Sequence, residues 1–125
     1  MKVIAAKLNA EPSHSLSISD VKYILSIVPE KWLSGVGKVV LSNTLFKNSR
    51  FDRPVFGSAE LGAHKINILS RGFKKEDIAM ELLRELAVIG GVGQTPSINH
   101  LPNRELKKVD QAIAQYLKDF LNART

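Results

Sequence analysis

The sequence predicts a single α+β domain. Two long stretches place apolar residues at helical spacing, and short segments rich in β-branched residues precede the first of them. The predicted order is helix, strand, hairpin, helix, loop and helix, which is not the regular alternation of an α/β fold. A chain of 125 residues is large enough for one hydrophobic core. We therefore expect one domain over residues 1–125, in which residues 1–18 form an N-terminal arm or strand and a connector.

The first predicted helix follows a polar connector over residues 11–19. Ser19 or Asp20 is suited to cap its N-terminus, since a side-chain oxygen there accepts a backbone N–H of the first turn. Apolar residues then follow at helical spacing as far as Pro29, which cannot continue the hydrogen-bond pattern. Trp32 is expected to anchor the next corner in the core. The β-branched content of residues 38–41 predicts a strand.

A hairpin is predicted from residues 55–61 and 65–70, which form two strand-like segments around Gly62. In the second segment the side chains alternate between two faces of the strand. Ile66 and Ile68 share one face, whereas Lys65 and Asn67 share the other. The isoleucine face is therefore expected to pack on the core.

The central predicted helix covers residues 74–91. Its apolar residues form one stripe that we expect to be buried: Ile78, Leu82, Leu86 and Ile89. Acidic residues lie at its start, where the helix dipole favours them, and Gly90-Gly91 predicts a left-handed cap at its end. A last helix is predicted over residues 104–122, because apolar residues keep helical spacing there for four turns.

The composition excludes some classes of site. The chain has no cysteine, so disulfides and thiolate metal sites are ruled out. No apolar run is long enough to span a membrane, and Lys7 interrupts the N-terminal apolar segment before a secretory signal could form. We expect a cytoplasmic protein. The net charge of +6 is either a solubilising surface or the sign of an acidic partner such as nucleic acid.

Residues 20–121 resemble the minimal gluzincin metallopeptidases. The resemblance begins with a helix that ends in Ile-Val-Pro, a Gly-Val turn into a Val-Val-Leu strand, and the hairpin. The central helix then reads Glu-Leu-Leu-Arg-Glu-Leu-Ala where the family has Leu-Leu-His-Glu-Leu-Gly-His. Residues 108–114 are similar to the family's Glu-Ala-Asp-x-x-Ala segment. The resemblance implies a zincin-like minimal domain with an N-terminal helix, a small sheet with a hairpin, a central active-site-type helix and a C-terminal helix.

The chain departs from the family at the catalytic positions. Arg84 and Val88 stand where the two zinc-binding histidines are expected, and Lys108 stands at the third ligand, with Glu105 the nearest substitute. Only Glu85 matches the family, at its general base. Catalytic zinc needs three protein ligands, and cationic side chains repel it. The resemblance therefore implies a catalytically inactive metallopeptidase-like protein that binds no zinc or other cofactor and serves as a binding or structural module.

Glu85 is then expected to form an ion-pair network in place of metal coordination. Arg84, Lys108 and Arg104 are the cations within reach on the two long helices, and such pairs would hold the helices together. The alternative is an ordinary exposed glutamate, whose pairs contribute little to stability.

Two other functions stay open. The first is nucleic-acid binding, because cations lie among phenylalanines near the middle of the chain, as in proteins that bind single strands. The candidate contacts are Lys47, Arg50, Arg53, Lys74 and Lys75. The second is a metal-dependent hydrolase with rearranged ligands. It would require His14, His64 and His100 to converge on one metal with a carboxylate such as Glu85, Glu60 or Glu105. The partner is therefore unknown, either a protein or a nucleic acid.

Overall fold

The structure is a computed structural model that describes residues 2–8, 11, 13–45, 57–60, 65–71, 73–92 and 103–124. It confirms the α+β class. The strands are β1 (Lys2–Ala5), β2 (Lys38–Leu45), β3 (Gly57–Glu60) and β4 (Lys65–Arg71). The helices are α1 (Ile18–Ile27), α2 (Lys75–Ile89) and α3 (Asn103–Arg124), with a 3₁₀ turn at Glu30–Trp32. Residues 2–5 thus form a strand of the sheet.

The four described strands form one mixed sheet in the order β1-β2-β4-β3. β3 and β4 are antiparallel neighbours, so the predicted hairpin is confirmed. β1, β2 and β4 run parallel to one another. Because α1 lies between β1 and β2 in the chain, these three elements form a crossover unit of the kind that parallel strands require.

The sheet has a core face and an outer face. Val39, Leu41, Ile66 and Ile68 are fully buried and belong to the same core cluster as residues of all three helices. Their neighbours along the strands point the other way, since side chains alternate. On this outer face Ile4, Val40 and Asn67 are half-buried, and the described helices do not cover it. The predicted alternation in β4 is confirmed.

The start of α1 differs from the prediction. Ser17 is the N-cap, so the choice of Ser19 or Asp20 was wrong by two or three residues. Ser17 Oγ accepts a hydrogen bond from the backbone N–H of Asp20, and the Asp20 carboxylate accepts one from the backbone N–H of Ser17, both at 3.0 Å. This reciprocal arrangement is a capping box, with an aspartate in the position usually taken by Glu or Gln. The predicted end before Pro29 is confirmed.

The connector before α1 is fixed to the sheet. Leu16 is fully buried, and the hydroxyl of Ser15 lies between the backbone carbonyl oxygens of Ser70 and Phe73, which share its single proton. The backbone N–H of Ser15 donates to the Ser70 carbonyl as well, at 3.1 Å. The polar composition of residues 11–19 concealed this attachment to the end of β4.

α2 is the central element of the core. The predicted stripe is too narrow, because Glu81, Leu83, Glu85 and Val88 are buried as well, whereas Ile89 is half-buried. A helix buried on most sides lies between other layers. In this fold α2 contacts β3 and β4 on one side and α3 on the other.

The C-terminus of α2 ends as the glycine pair predicts. Gly90 caps the helix, and Gly91 follows with a φ of 94°. Trp32 packs against Gly90, and its ring also meets Tyr116 of α3 edge to face, with centroids 5.4 Å apart. Trp32 therefore joins the C-terminal end of α2 and the interior of α3 to the corner after α1, as expected of a core anchor.

Thr44 and Leu45, which were expected in a loop or insertion over residues 44–54, belong to β2, so that expectation was wrong for these two residues. Residues 46–54 and the predicted loop of residues 93–102 lie outside the described residues. Among the described helices, none combines the length and the apolar character needed to cross a bilayer.

Candidate functional site

The candidate site is the side of α2 that carries Glu81, Arg84, Glu85 and Val88. Residues three and four apart lie on the same side of a helix, so these four side chains are neighbours. Glu81 and Val88 are buried, and Glu85 is fully buried with both carboxylate oxygens inaccessible to solvent. Buried carboxylates are rare because a charge loses hydration in the interior. The place where the resemblance expects a catalytic centre is therefore a buried cluster of ionisable side chains.

Arg84 and Asp110 join α2 to α3. Arg84 Nε lies 2.7 Å from Asp110 Oδ1, and Arg84 Nη2 lies 3.0 Å from Asp110 Oδ2. These two parallel bonds form the bidentate arrangement in which arginine holds a carboxylate most strongly. The Arg84 side chain is only 15% exposed, so the pair is shielded from solvent on the arginine side.

The guanidinium of Arg84 also faces Glu81. Arg84 Nη1 lies 3.8 Å from Glu81 Oε2, on the preceding turn of the same helix. One cation therefore serves a buried carboxylate of α2 and a half-exposed carboxylate of α3. This placement offsets part of the cost of burying Glu81.

Lys108 does not join this cluster. Its side chain is 65% exposed, and its Nζ lies 3.3 Å from Glu105 Oε1, one turn earlier on α3. Glu105 itself is buried. The predicted cation partners of Glu85 are Arg84, Lys108 and Arg104, whereas the ion pair described between α2 and α3 joins Arg84 to Asp110.

Asp110 belongs to the candidate site but is not among the residues that the sequence predicted for it. It follows Leu106 by one helical turn, which places it at the edge of the apolar stripe of α3 and towards α2. The signal that could have identified Asp110 is its position in residues 108–114, the segment that resembles the family's Glu-Ala-Asp-x-x-Ala. A groove of about 320 Å³ opens beside it between α2 and α3. The groove is lined by Met80, Asp110, Ile113, Ala114, Leu117, Lys118, Leu121 and Asn122.

The residues at the expected zinc position do not fit a metal. Arginine has no lone pair to donate, valine has no ligand atom, and the Asp110 carboxylate is already bound by Arg84. Within the described parts of the chain, no three His, Asp or Glu side chains are grouped so as to hold a metal ion.

The three histidines bear on the rearranged-ligand hypothesis. His14 lies at the connector, where Nδ1 is 2.6 Å from Ser70 Oγ and Nε2 is 2.8 Å from the Ala6 carbonyl oxygen. Both ring nitrogens are therefore engaged in holding the connector to the strands. His64 and His100 lie outside the described residues.

The predicted nucleic-acid contacts are described only in part. Lys74 is exposed at the N-cap of α2, and Lys75 forms an ion pair with Asp20, with Nζ 3.4 Å from Oδ2. Lys75 thus links the starts of α1 and α2. Lys47, Arg50 and Arg53 lie outside the described residues.

Comparison of the chain with protein-family models, with curated proteins and with solved structures finds no match.

Proposed function

We propose that this chain is a non-catalytic, zincin-like binding or structural module. In this proposal the Arg84–Asp110 ion pair holds α2 and α3 together where a peptidase of the family would hold zinc. The observation that carries the proposal is the bidentate geometry of that pair at the position expected for the first ligand. The hairpin that precedes α2 and the helix that follows it agree with the expected order of elements.

The state of Glu85 supports the loss of peptidase chemistry. A general base must come within hydrogen-bonding distance of the proton that it removes, directly or through one water. Both carboxylate oxygens of Glu85 are inaccessible to solvent, and the two neighbouring positions of the family motif carry Arg84 and Val88. Neither of these side chains can bind a metal that would activate water. Glu85 is therefore assigned a structural role.

The charge arrangement supports a structural exchange of metal for ion pair. A zinc ion would compensate the negative charge of nearby carboxylates with two positive charges, and Arg84 supplies one charge close to Glu81 and Asp110. The planar guanidinium also fixes the orientation of Arg84 relative to the Asp110 carboxylate, because its two hydrogen bonds form together. The exchange would keep the two helices in register without a metal.

Elemental analysis of the purified protein, with a zinc titration by calorimetry, tests the proposal. We expect no stoichiometric metal and an unchanged melting temperature after treatment with a chelator. A peptidase assay on the parent and on Glu85→Gln provides the second arm, in which neither protein should show turnover. One tightly bound zinc per chain, or hydrolysis that Glu85→Gln abolishes, would contradict the proposal and favour the hydrolase with rearranged ligands.

A further inference from the structure

Three lysines are aligned across the sheet at one end of the parallel strands. Lys2 of β1 is paired in register with Lys38 of β2, and Lys38 is paired with Lys65 of β4. Neighbouring strands are about 4.8 Å apart, so the row spans about 10 Å. We refer to Lys2, Lys38 and Lys65 as the lysine row.

The lysine row lies on the outer face. Val39 and Ile66 follow Lys38 and Lys65 in the chain and are fully buried in the core, so the two lysines point away from the helices. In-register residues of parallel strands share a face, which places Lys2 with them. Lys2 is exposed and the other two are half-buried, so the side chains border solvent.

The row is unfavourable for the folded protein by itself. Like charges directly opposite on neighbouring strands repel each other and destabilise a sheet. The one acidic residue at a register position beside the row, in the described strands, is Glu60 of β3, which pairs with Lys65. Three aligned lysines, whose mutual repulsion opposes the folding of the sheet, indicate an anionic partner.

We propose that the outer face binds the phosphate backbone of single-stranded nucleic acid, with the lysine row as its main contact. A flat row of cations can track successive phosphates, and this attraction does not depend on the base sequence. Asn67 lies two residues after Lys65 on the same face of β4.

The distribution of charge over the whole domain supports this choice. Among the described residues, the buried acidic ones are Asp20, Glu81, Glu85 and Glu105. Three of these carboxylates, those of Asp20, Glu81 and Glu105, are paired with lysine or arginine side chains, and the chain still carries a net charge of +6. A basic surface of this kind is the electrostatic footprint of nucleic-acid binding.

A membrane surface fits the outer face less well. Stable membrane attachment combines basic residues with large apolar side chains that enter the lipid. Ile18 is the one large apolar side chain that is exposed in the described part of the chain, and it lies on α1. Ile4 and Val40, the apolar neighbours of the row, are half-buried.

Binding by the lysine row does not depend on the Arg84–Asp110 pair, so the two proposals can fail separately. The zinc titration tests the junction of α2 and α3, whereas oligonucleotide binding tests the outer face of the sheet.

The test is fluorescence anisotropy with a labelled 20-nucleotide oligothymidine, measured over a series of salt concentrations. We expect binding at low salt that weakens steeply as salt is added, because each neutralised phosphate releases a counterion. The variant Lys2→Gln/Lys38→Gln/Lys65→Gln should bind at least tenfold more weakly. Its slope of log affinity against log salt should fall by about 2, since each contact to a single strand contributes about 0.7.

The matched control is Lys22→Gln/Lys31→Gln/Lys118→Gln. These three lysines are exposed on α1, on the 3₁₀ turn and on α3, and the control lowers the net charge by the same amount. We expect it to lose less than threefold in affinity. Circular dichroism melting verifies that both triple variants are folded.

Several results would overturn the proposal. The first is a parent protein that does not bind the oligonucleotide at low salt. The second is an equal loss of affinity in both triple variants, because that would assign the effect to overall charge. Stronger, lysine-row-dependent binding to vesicles with anionic lipid would assign the face to a membrane surface instead. In an NMR titration of the parent protein with the oligonucleotide, chemical-shift changes confined to amides outside β1, β2 and β4 would also contradict the proposal.

Discussion

Arg84 and Asp110 are held in a two-bond fork between α2 and α3, with distances of 2.7 and 3.0 Å. The two sides of the fork differ in exposure: the arginine is 15% exposed and the aspartate 39% exposed. Loss of the arginine therefore removes a shielded cation from beside Glu81 and Asp110, whereas loss of the aspartate charge leaves a guanidinium that still faces Glu81. The pair should respond unequally to substitution of its two members.

We predict that Arg84→Met lowers the free energy of unfolding by about 2–3 kcal/mol, the range of hydrogen bonds to charged groups. Asp110→Asn should cost about 1 kcal/mol, because solvent reaches that side. Urea denaturation of both single variants and the double variant gives the coupling energy. Lys108→Met is the matched control. Its pair with Glu105 is 65% exposed on the lysine side, so we expect at most about 1 kcal/mol. Equal costs for Arg84→Met and Lys108→Met would refute a special role for the fork.

The zincin-like proposal predicts that a zinc site can be rebuilt. Arg84→His/Val88→His would place two imidazoles one helical turn apart, and Asp110 already lies within bonding distance of the position 84 side chain. We expect this double variant to bind one zinc per chain in calorimetry, while the parent binds none. Because Lys108 is largely exposed, adding Lys108→Glu should improve zinc binding little, whereas adding Asp110→Asn should abolish it. If the folded double variant binds no zinc with or without Lys108→Glu, the assignment of the fold is wrong.

The close packing of Trp32 on Gly90 leads to a third prediction. A Cβ atom at position 90 would lie 2.1 Å from Trp32 Cδ1, much closer than atoms can approach, so Gly90→Ala must displace the indole. We expect a loss of about 3 kcal/mol, at the upper end of overpacking effects. At position 91 a Cβ would meet nothing within 4 Å, but the φ of 94° is unfavourable for alanine. Gly91→Ala should therefore cost only about 1 kcal/mol.

Thermal melting with tryptophan fluorescence separates the two glycine variants. Trp32 is the single tryptophan, so its emission reports directly on the displaced ring. A red-shifted native spectrum is expected for Gly90→Ala and not for Gly91→Ala. Similar stability losses with unchanged tryptophan emission in both variants would show that contact with the Trp32 indole does not determine the cost of a side chain at position 90.

The capping box of α1 predicts a cost for Ser17→Ala. Loss of the Ser17 hydroxyl removes the acceptor for the backbone N–H of Asp20, which typically costs about 1 kcal/mol. Ser26 provides the control, because it lies exposed in the same helix and its hydroxyl bonds only to the nearby Tyr23 carbonyl in the contacts described. Ser26→Ala should change the unfolding free energy by less than about 0.5 kcal/mol. A loss for Ser26→Ala as large as that for Ser17→Ala would contradict the assigned cap.

Local patterns predicted the elements of this fold well, for a physical reason. Side-chain alternation identified the core face of β4, and the glycine pair marked the end of α2, because both signals depend on residues adjacent in the chain. The parallel pairing of β1, β2 and β4 was not predicted. It joins residues that are far apart in sequence, and no turn between them records it.

The candidate site was predicted in place but not in detail. The motif positions located the buried side of α2, yet the partner on α3 depends on how the two helices are rotated about their axes. That rotation is set by the packing of Ile113, Val109 and their neighbours and decides between Lys108 and Asp110. In the connector, Leu16 and Ser15 were overlooked because isolated residues within a polar segment carry no periodic signal.

The lysine row yields a prediction about stability that is separate from binding. Lys38 is the middle residue, with Lys2 on one side and Lys65 on the other, so it experiences two repulsions. Lys38→Gln should therefore raise the free energy of unfolding at low salt by about 0.2–1 kcal/mol, the size of a cross-strand charge effect. The gain should shrink as salt screens the charges. Lys118→Gln, exposed on α3, serves as the control and should leave stability unchanged. If Lys38→Gln gains stability and loses oligonucleotide affinity, the Lys38 charge contributes to binding and opposes folding. Destabilisation by Lys38→Gln would instead mean that the lysine supports the sheet, and the row would then give no reason to expect an anionic partner.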